Sequence, residues 1–241
     1  MTMQRGFLAI WCDMAAEDLE DYRNWLTQEH IADRTFSPGF LGVRLFEALD
    51  DELSHFILYA TENRDVLRGS AYKRILDNPS AWTRQIMPRF GAFDRALGGQ
   101  VLKVGNGFGS HVAIWRVRLG EGAHNLNRLD GDLAAFAGRD GIVSLRVFAV
   151  DHSTTGRHSE EKTMRRNGEG AFDLLLCAEA MGDQAARVAE NRISGEMRRL
   201  FPTLGSYDAS CRRMIYGEAA HEGPTQWELA GESRKGACPA V

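Results

Sequence analysis

The chain has 241 residues, 44% of them hydrophobic, and a formal net charge of −4 at pH 7. This length accommodates one large domain or two of roughly 100–120 residues. The acidic balance argues against a nucleic-acid partner, which needs a basic surface, and no apolar run reaches the roughly 18 residues of a membrane span. The N-terminus shows no signal-peptide cleavage pattern, and the four cysteines have neither disulfide nor zinc spacing. We therefore expect a cytoplasmic protein with no membrane partner.

Residues 6–104 predict six elements in the order βαββαβ. The first helix has apolar side chains at helical spacing and acidic residues in its first turn, and Pro38-Gly39 ends it. Asn78-Pro79 interrupts the second helix, because a proline breaks or kinks a helix interior. The predicted elements are a strand at 6–13, a helix at 16–35, a hairpin of strands at 40–49 and 54–62 with Asp50-Asp51 in its turn, a helix at 64–87 and a strand near 100–104.

The second half of the chain repeats this plan. Four blocks return in the same order: GFLAIW (6–11) as SHVAIW (110–115), GFLGVRLFEALDD (39–51) as GIVSLRVFAVDHS (141–153), HFILYATE (55–62) as FDLLLCAE (172–179), and PRFGAFD (88–94) as PTLGSYD (202–208). The offset grows after the second block, which indicates a polar insertion at 151–170, more typical of a solvated loop than of a lid. The predicted elements are strands near 111–118, 142–150, 171–179 and 211–217, with helices near 123–137 and 183–200.

The order βαββαβ is that of the ferredoxin-like unit. One such unit leaves a sheet face uncovered, because both helices pack on the other face, and two stacked sheets bury both. We predict an α+β fold of two ferredoxin-like repeats, 1–104 and 111–221, joined by a linker at 105–110 into one barrel. The glycines of this linker precede a strand, unlike those of a dinucleotide loop. We expect the Gly- and Pro-rich tail at 222–241 to be loosely ordered.

The segment WLTQEHIADRTFSPGFLGVRLFEA (25–48) resembles the EthD-like branch of the dimeric α/β-barrel superfamily. The resemblance covers residues 5–105 and implies a pseudo-dimeric barrel with its working pocket in the first repeat. The superfamily includes cofactor-free cyclases, isomerases, decarboxylases and other lyases, quinone-forming monooxygenases and haem enzymes, so the reaction must be argued from side chains. The matching residues are Trp25, Glu29, His30, Arg34, Pro38, Gly39, Phe40, Arg44 and Phe46, followed by Tyr72, Pro79, Trp82 and Pro88 in the second helix.

His30 is the leading candidate for acid–base chemistry. It follows Leu26 and Tyr22 on the apolar face of its helix, and an imidazole titrates near neutral pH, with an ordinary pKa of about 6.5. Asp33 lies three residues further on and could orient the ring. The alternative is a buried histidine that serves only packing. Positions 132–134 of the second half, Asp-Leu-Ala, do without a histidine, which favours a functional residue in one half.

Aromatic residues supply the other candidates. A phenol from Tyr59 or Tyr72 could hydrogen-bond or protonate a carbonyl or phenolate, and Trp25 and Trp82 could form the wall of an aromatic pocket. The alternative for each is an aromatic side chain at the edge of the core. Trp11 recurs as Trp115, which favours packing over substrate contact.

Charged residues complete the candidate set. Glu29 projects away from His30 round the helix and could cap a helix, pair with Arg34 or face the cleft. Arg44 recurs as Arg146, which favours a shared architectural role over substrate contact. We expect His55, which opens a strand, at the surface.

We therefore expect a cofactor-independent lyase, decarboxylase, isomerase or cyclase that acts on a small aromatic or enolisable substrate. His30 would be the general acid/base, and a tyrosine would stabilise the oxyanion. No metal motif is present, and the helix at 183–200 lacks the histidine that the resemblance requires for haem. The alternatives are a cofactor-free monooxygenase of phenolic or polyketide-like substrates and a non-catalytic carrier of a hydrophobic ligand. Homodimerisation is left open.

Overall fold

The computed structural model describes residues 5–121, 129–165 and 172–220. Their strands are β1 (Gly6–Asp13), β2 (Phe40–Ala48), β3 (Asp51–Thr61), β4 (Phe93–Val104), β5 (His111–Leu119), β6 (Ile142–Val150), β7 (Leu174–Ala180) and β8 (Leu204–Ala219). Their α-helices are α1 (Leu19–Trp25), α2 (Ile31–Thr35), α3 (Ser70–Asp77), α4 (Ala81–Ile86), α5 (Leu129–Ala134), α6 (His152–Thr155), α7 (Glu160–Thr163) and α8 (Asp183–Leu200). None of the described helices has the length and apolar character that crossing a membrane requires.

The described strands close into an antiparallel barrel in the order β1-β3-β2-β8-β5-β7-β6-β4. The barrel consists of two groups of four neighbouring strands. The first group is β4-β1-β3-β2, and the second is β8-β5-β7-β6. The joints between these two groups are β2 with β8 and β4 with β6. The barrel predicted from the sequence is confirmed, as is the mixture of helices and sheet, whereas the origin of the two groups by duplication stays a prediction.

Side chains alternate between the two faces of each strand, so the barrel separates three apolar clusters. The inner core fills the barrel between the two groups of strands, with Phe7, Phe46, Phe56, Leu58 and Phe148 among its members. The first outer core lies between the first group of strands and the helices that precede β4. The second outer core lies beneath α5 and α8. The first outer core surrounds His30.

The strands closing each half are longer than the sequence indicated. The predicted strand near 100–104 begins at Phe93, and the one near 211–217 extends from Leu204 to Ala219. Both pair with neighbours on two sides, and this pairing extends them beyond their apolar stretches. The predicted helix at 64–87 is divided at Pro79, and the Ser80 side chain caps α4 by accepting from the Thr83 N–H. Part of the predicted helix at 123–137 and the tail at 222–241 lie outside the described residues.

Trp11 and Trp115, which align in the sequence, face opposite sides of their strands. Trp11 points into the inner core, whereas Trp115 lies in the second outer core and donates from Nε1 to Ser194 Oγ at 2.9 Å. A shift of one residue moves a strand's side chains to the opposite face. The two tryptophans are therefore both buried, as expected, but do not occupy equivalent places.

The described part of the insertion, residues 151–165, packs against the first half of the chain, contrary to the expectation of a solvated loop. Asp151 forms an ion pair with Arg68, and Thr155 Oγ1 accepts from the Leu97 N–H at 3.3 Å. Glu161 in α7 is only 5% exposed. These contacts arise because the insertion follows β6, whose neighbour β4 belongs to the first half.

His55, expected at the surface, is fully buried. Its Nδ1 lies 3.1 Å from the Leu53 carbonyl, which can only accept, so Nδ1 carries the proton. The buried Nε2 has no hydrogen-bond partner among the described residues. Burial, reinforced by the positive charge of Arg23, lowers the pKa of His55 to about 4.

We predict that His55 makes the folded state sensitive to mild acid. Its ordinary pKa is about 6.5, so between pH 6.5 and about 4 the unfolded chain binds more protons than the folded chain. The free energy of unfolding should fall as the pH drops through this window, by at most about 1.4 kcal/mol per unit from this group. Urea titrations of His55→Asn should show a shallower pH dependence than those of wild type. His111→Asn is the matched control, and an unchanged slope in His55→Asn would contradict the assignment.

Candidate active site

A π-helical turn positions His30. The turn spans Leu26–His30, between α1 and α2, and such turns occur frequently at functional sites. His30 is 3% exposed, and its ring lies against Trp25 with 4.0 Å between ring centroids. Burial of His30 is compatible with both of its predicted roles, packing and catalysis. Its hydrogen bonds distinguish the two roles.

Arg34 fixes the tautomer of His30. Its Nη1 lies 3.1 Å from His30 Nδ1 and 3.1 Å from the His30 carbonyl. A guanidinium has no acceptor, so Nδ1 must accept and the neutral ring carries its proton on Nε2. Burial, together with the positive charges of Arg34 and Arg165, holds the pKa of His30 well below its usual value. His30 is thus a neutral hydrogen-bond donor through Nε2.

The opposite side of Arg34 binds the insertion. Its Nη2 donates to both carboxylate oxygens of Glu161, at 2.9 and 3.0 Å, and Arg34 is only 2% exposed. Burial alone would lower the pKa of Arg34, but the carboxylate outweighs it and raises the pKa. Residues of α2 and α7 are in this way joined across the pocket by a buried ion pair.

Tyr72 and Arg95 form a second polar pair in the same pocket. Arg95 Nη2 donates to the Tyr72 hydroxyl at 3.0 Å, and the two residues are 5% and 2% exposed. Because the phenol oxygen accepts this bond, the phenol keeps its own proton to donate. The pair therefore offers a cation and an O–H donor inside an apolar surrounding.

We call the space between these groups the His30 pocket. Among its described lining residues the cations are Arg34, Arg95 and Arg165, and the acid is Glu161. The centre of a water molecule has about 20 Å³ to move in, which is room for water and not for an aromatic ring. Its apolar walls are formed by Ile10, Trp25, Ile57, Met87, Phe90 and Phe93.

Cys12 and Tyr22 also line the pocket, but both side chains remain protonated. The Cys12 thiol lies 3.1 Å from the Tyr22 hydroxyl. Burial raises the pKa of Cys12 to about 12 and that of Tyr22 well above its usual value. Because the thiolate is the nucleophilic form of cysteine, this thiol is not poised for nucleophilic catalysis.

Glu29 and Trp82, two of the predicted site residues, form contacts between helices outside the pocket. Glu29 accepts hydrogen bonds from Ser80 and from Thr83 Oγ1, and Trp82 donates from Nε1 to Asp21 at 2.9 Å. Both contacts join the first helical region to α4. The side chains of Glu29 and Trp82 reach them because they lie beside the helix faces that line the pocket. The contact that orients the ring at Nδ1 comes from Arg34, and an orienting role for Asp33 stays a prediction.

Three further predicted residues lie elsewhere in the barrel. Trp11 points into the inner core, and Arg44 pairs with Glu179 at 2.8 Å inside the barrel. Both are separated from the His30 pocket by the sheet. Tyr59 faces the helices beside Phe40, at 5.9 Å between ring centroids, but is not among the described residues lining the pocket. Its buried hydroxyl has no hydrogen-bond partner among the described residues.

Sequence reasoning therefore identified His30, Arg34, Tyr72 and Trp25 of the pocket and missed its remaining charges. Glu161 and Arg165 come from the insertion. The larger offset between the matching blocks indicated that an insertion is present, but it did not indicate where the insertion packs. Arg95 lies in the part of β4 that the sequence left unassigned.

No family model and no curated protein matches the chain, whereas solved structures do. An anthrone oxidase-like protein aligns with a TM-score of 0.61 at 12% identity, over 91% of this chain and 94% of its own. A protein from Fusobacterium nucleatum provisionally named a monooxygenase aligns with a TM-score of 0.53 at 10% identity, over 91% and 96% of the two chains. One of the same provisional name from Lactobacillus acidophilus gives 0.52 at 8% identity, over 90% and 97%. These likenesses establish the fold, a closed barrel of eight antiparallel strands with helices packed outside it.

Proposed function

We propose that the chain is a cofactor-independent enzyme that stabilises a developing oxyanion on a small aromatic or enolisable substrate in the His30 pocket. The observation that carries the proposal is the contact between Arg34 Nη1 and His30 Nδ1 at 3.1 Å. It assigns the proton of the neutral ring to Nε2 and leaves the acceptor nitrogen, Nδ1, occupied by Arg34. The anthrone oxidase-like and monooxygenase names of the structural neighbours are in keeping with an enzyme.

The remaining polar groups of the pocket support the same role. His30 Nε2–H and the Tyr72 hydroxyl would donate to the substrate oxygen, and the charge of Arg95 would favour its anionic form. Donors fixed in an apolar site stabilise a developing negative charge more strongly than water does, because they need no reorganisation. A role for His30 as general base fits less well, since its Nδ1 is already occupied by Arg34.

An enolate or phenolate is the common intermediate of several reactions. Enolisation, ring closure, elimination and decarboxylation all place negative charge on an oxygen, so the pocket favours the lyase, isomerase and cyclase group without separating its members. A stabilised phenolate is also the species that dioxygen oxidises without a cofactor. The names of the neighbours keep this monooxygenase activity as a second candidate, and oxygen uptake during turnover distinguishes it.

We further infer that the chain is a tandem duplication of a ferredoxin-like unit from the EthD-like branch. The two groups of four strands support this, because each follows the order fourth, first, third, second strand. Arg44 and Arg146 support it as well, since both point into the barrel and bind the same Glu179. The His30 pocket is built on the helices of the first unit, and the insertion of the second unit adds Glu161 and Arg165 to its lining, as expected of a duplicated protein that retains one active site.

The His30 pocket is closed, so we propose that α7 moves to admit substrate. Glu161 in α7 and Arg165 after it line the pocket, and the Arg34–Glu161 pair holds α7 in place. Opening would separate this pair and expose the aromatic walls. Closure would then exclude water around the anionic intermediate.

We predict that His30 is neutral at neutral pH, with its proton on Nε2, because Arg34 occupies Nδ1 and the pKa lies well below the usual value. Long-range ¹H–¹⁵N spectra of histidine-labelled protein report the tautomer directly and need no substrate. A proton on Nδ1, or titration of the ring near neutral pH, would contradict the donor role.

We predict that His30→Gln retains much more activity than His30→Ala. The glutamine amide can present an N–H near the position of Nε2, whereas alanine removes the donor, and loss of one oxyanion donor typically lowers kcat by about 10²–10³-fold. Turnover would be measured on a panel of phenols, anthrones and β-keto acids, with oxygen uptake recorded in parallel. Equal losses in both variants would favour general base catalysis. Ligand binding with no turnover in wild type would favour the non-catalytic carrier.

We predict that Glu161→Gln destabilises the folded chain by about 3–5 kcal/mol, because Arg34 is then left as an unpaired buried charge. Thermal unfolding measures the loss, and hydrogen exchange should show faster opening of α7. Glu160→Gln, at the exposed neighbouring position, is the matched control. Similar behaviour of the two variants would contradict the role given to the ion pair.

A further inference from the structure

The linker at 105–110 is held across one open end of the barrel. The Gly107 carbonyl accepts hydrogen bonds from Ser144 Oγ at 2.7 Å and from Arg146 Nη2 at 3.1 Å. The Gly109 N–H donates to Glu179 at 3.2 Å. These bonds tie the linker to side chains that point into the barrel. They place Phe108 at the rim, where it is 65% exposed.

Two arginines share one carboxylate behind Phe108. Arg44 and Arg146 donate from Nη1 to Glu179 at 2.8 and 3.2 Å, and Glu179 is fully buried. The guanidinium carbons lie 4.4 and 4.5 Å from the Phe108 ring centroid. The cluster therefore carries one positive charge beyond what its carboxylate neutralises. In keeping with this excess, burial and the charge of Arg44 lower the pKa of Arg146 despite Glu179.

A cavity of about 630 Å³ opens in front of this cluster, and we call it the mouth cavity. Its volume lies within the range of about 300–1,000 Å³ that is typical of organic ligand sites. Phe7, Leu58 and Phe148 supply apolar walls. The charged residues among its described lining are the cations Arg5, Arg44, Lys103 and Arg146 and the carboxylate of Glu218, which is bonded to Thr35 and Tyr216.

The mouth cavity combines exposed apolar side chains with an excess of positive charge. Phe108 and Met214, two of the five large apolar side chains exposed among the described residues, both line it. Exposed apolar patches frequently mark binding sites. Its cationic excess also contrasts with the net charge of −4 of the whole chain. Aromatic walls beside surplus guanidinium groups match a ligand with a ring at one end and an anion at the other.

We propose that the mouth cavity is a second ligand site, specific for an aromatic monocarboxylate. The carboxylate would bind the Arg44–Arg146 pair, whose planar donors suit its two oxygens, and the ring would lie among Phe7, Phe108 and Phe148. This site goes beyond the proposed function, because Arg44 and Phe7 point into the barrel whereas the His30 pocket lies on the outer face of the sheet.

The test compares two probes of the same shape that differ in charge. Calorimetric titration of the full-length chain with 2-naphthoate should show saturable binding at one site. Neutral 2-naphthamide should bind at least about tenfold more weakly, because hydrogen bonds to an ionised group are stronger than neutral ones. Failure of naphthoate to saturate at millimolar concentration, or equal affinity for both probes, would overturn the proposal.

Variants locate the binding. Arg44→Gln should weaken naphthoate by about tenfold or more and change naphthamide little, while Arg146 still neutralises Glu179 and protects the fold. Arg44→Lys keeps the charge and should give an intermediate affinity, and Arg139→Gln, at an exposed site, is the charge-matched control. His30→Gln should leave naphthoate affinity unchanged. If His30→Gln weakened binding and Arg44→Gln did not, the ligand would lie in the His30 pocket and the proposal would be wrong.

Discussion

The buried guanidinium of Arg34 is the constraint on which the candidate site depends. Taking a cation out of water is costly unless its donors are satisfied. Both terminal nitrogens of Arg34 meet this requirement through His30, a backbone carbonyl and Glu161, and its buried Nε has no hydrogen-bond partner among the described residues. One charge thereby sets the tautomer of the histidine, anchors the insertion over the pocket and contributes to its positive potential. The chemistry and the closure of the pocket therefore share one origin.

The barrel keeps two different chemical environments apart with a single layer of backbone. Successive residues of β2 and β3 face either the inner core or the first outer core. On the outer side, three arginines and one carboxylate surround a neutral imidazole donor in a space that admits only water. On the inner side, two arginines share Glu179 at the edge of a cavity large enough for an organic ligand.

Much of the fold could be predicted because the apolar periodicity and the internal repeat are local signals. His30, Arg34 and Tyr72 were found for the same reason, since they lie in a segment with a recognisable pattern. Glu161 could not be found, because it reaches Arg34 across 127 residues of sequence. The π-helical turn was not predicted, because Tyr22, Leu26 and His30 follow one another at a spacing that is typical of a regular helix. The Trp11–Trp115 alignment failed because similar letters do not fix strand register.

The contact between α2 and α7 has a consequence for biosynthesis. During translation the helix that carries His30 emerges long before Glu161, and the barrel cannot close until β8 has paired with β2. Until Glu161 has emerged, Arg34 lacks the carboxylate with which it pairs in the folded chain, and burying its charge without a partner would be costly. The first half therefore cannot complete the His30 pocket by itself, because Glu161 and Arg165 are synthesised later.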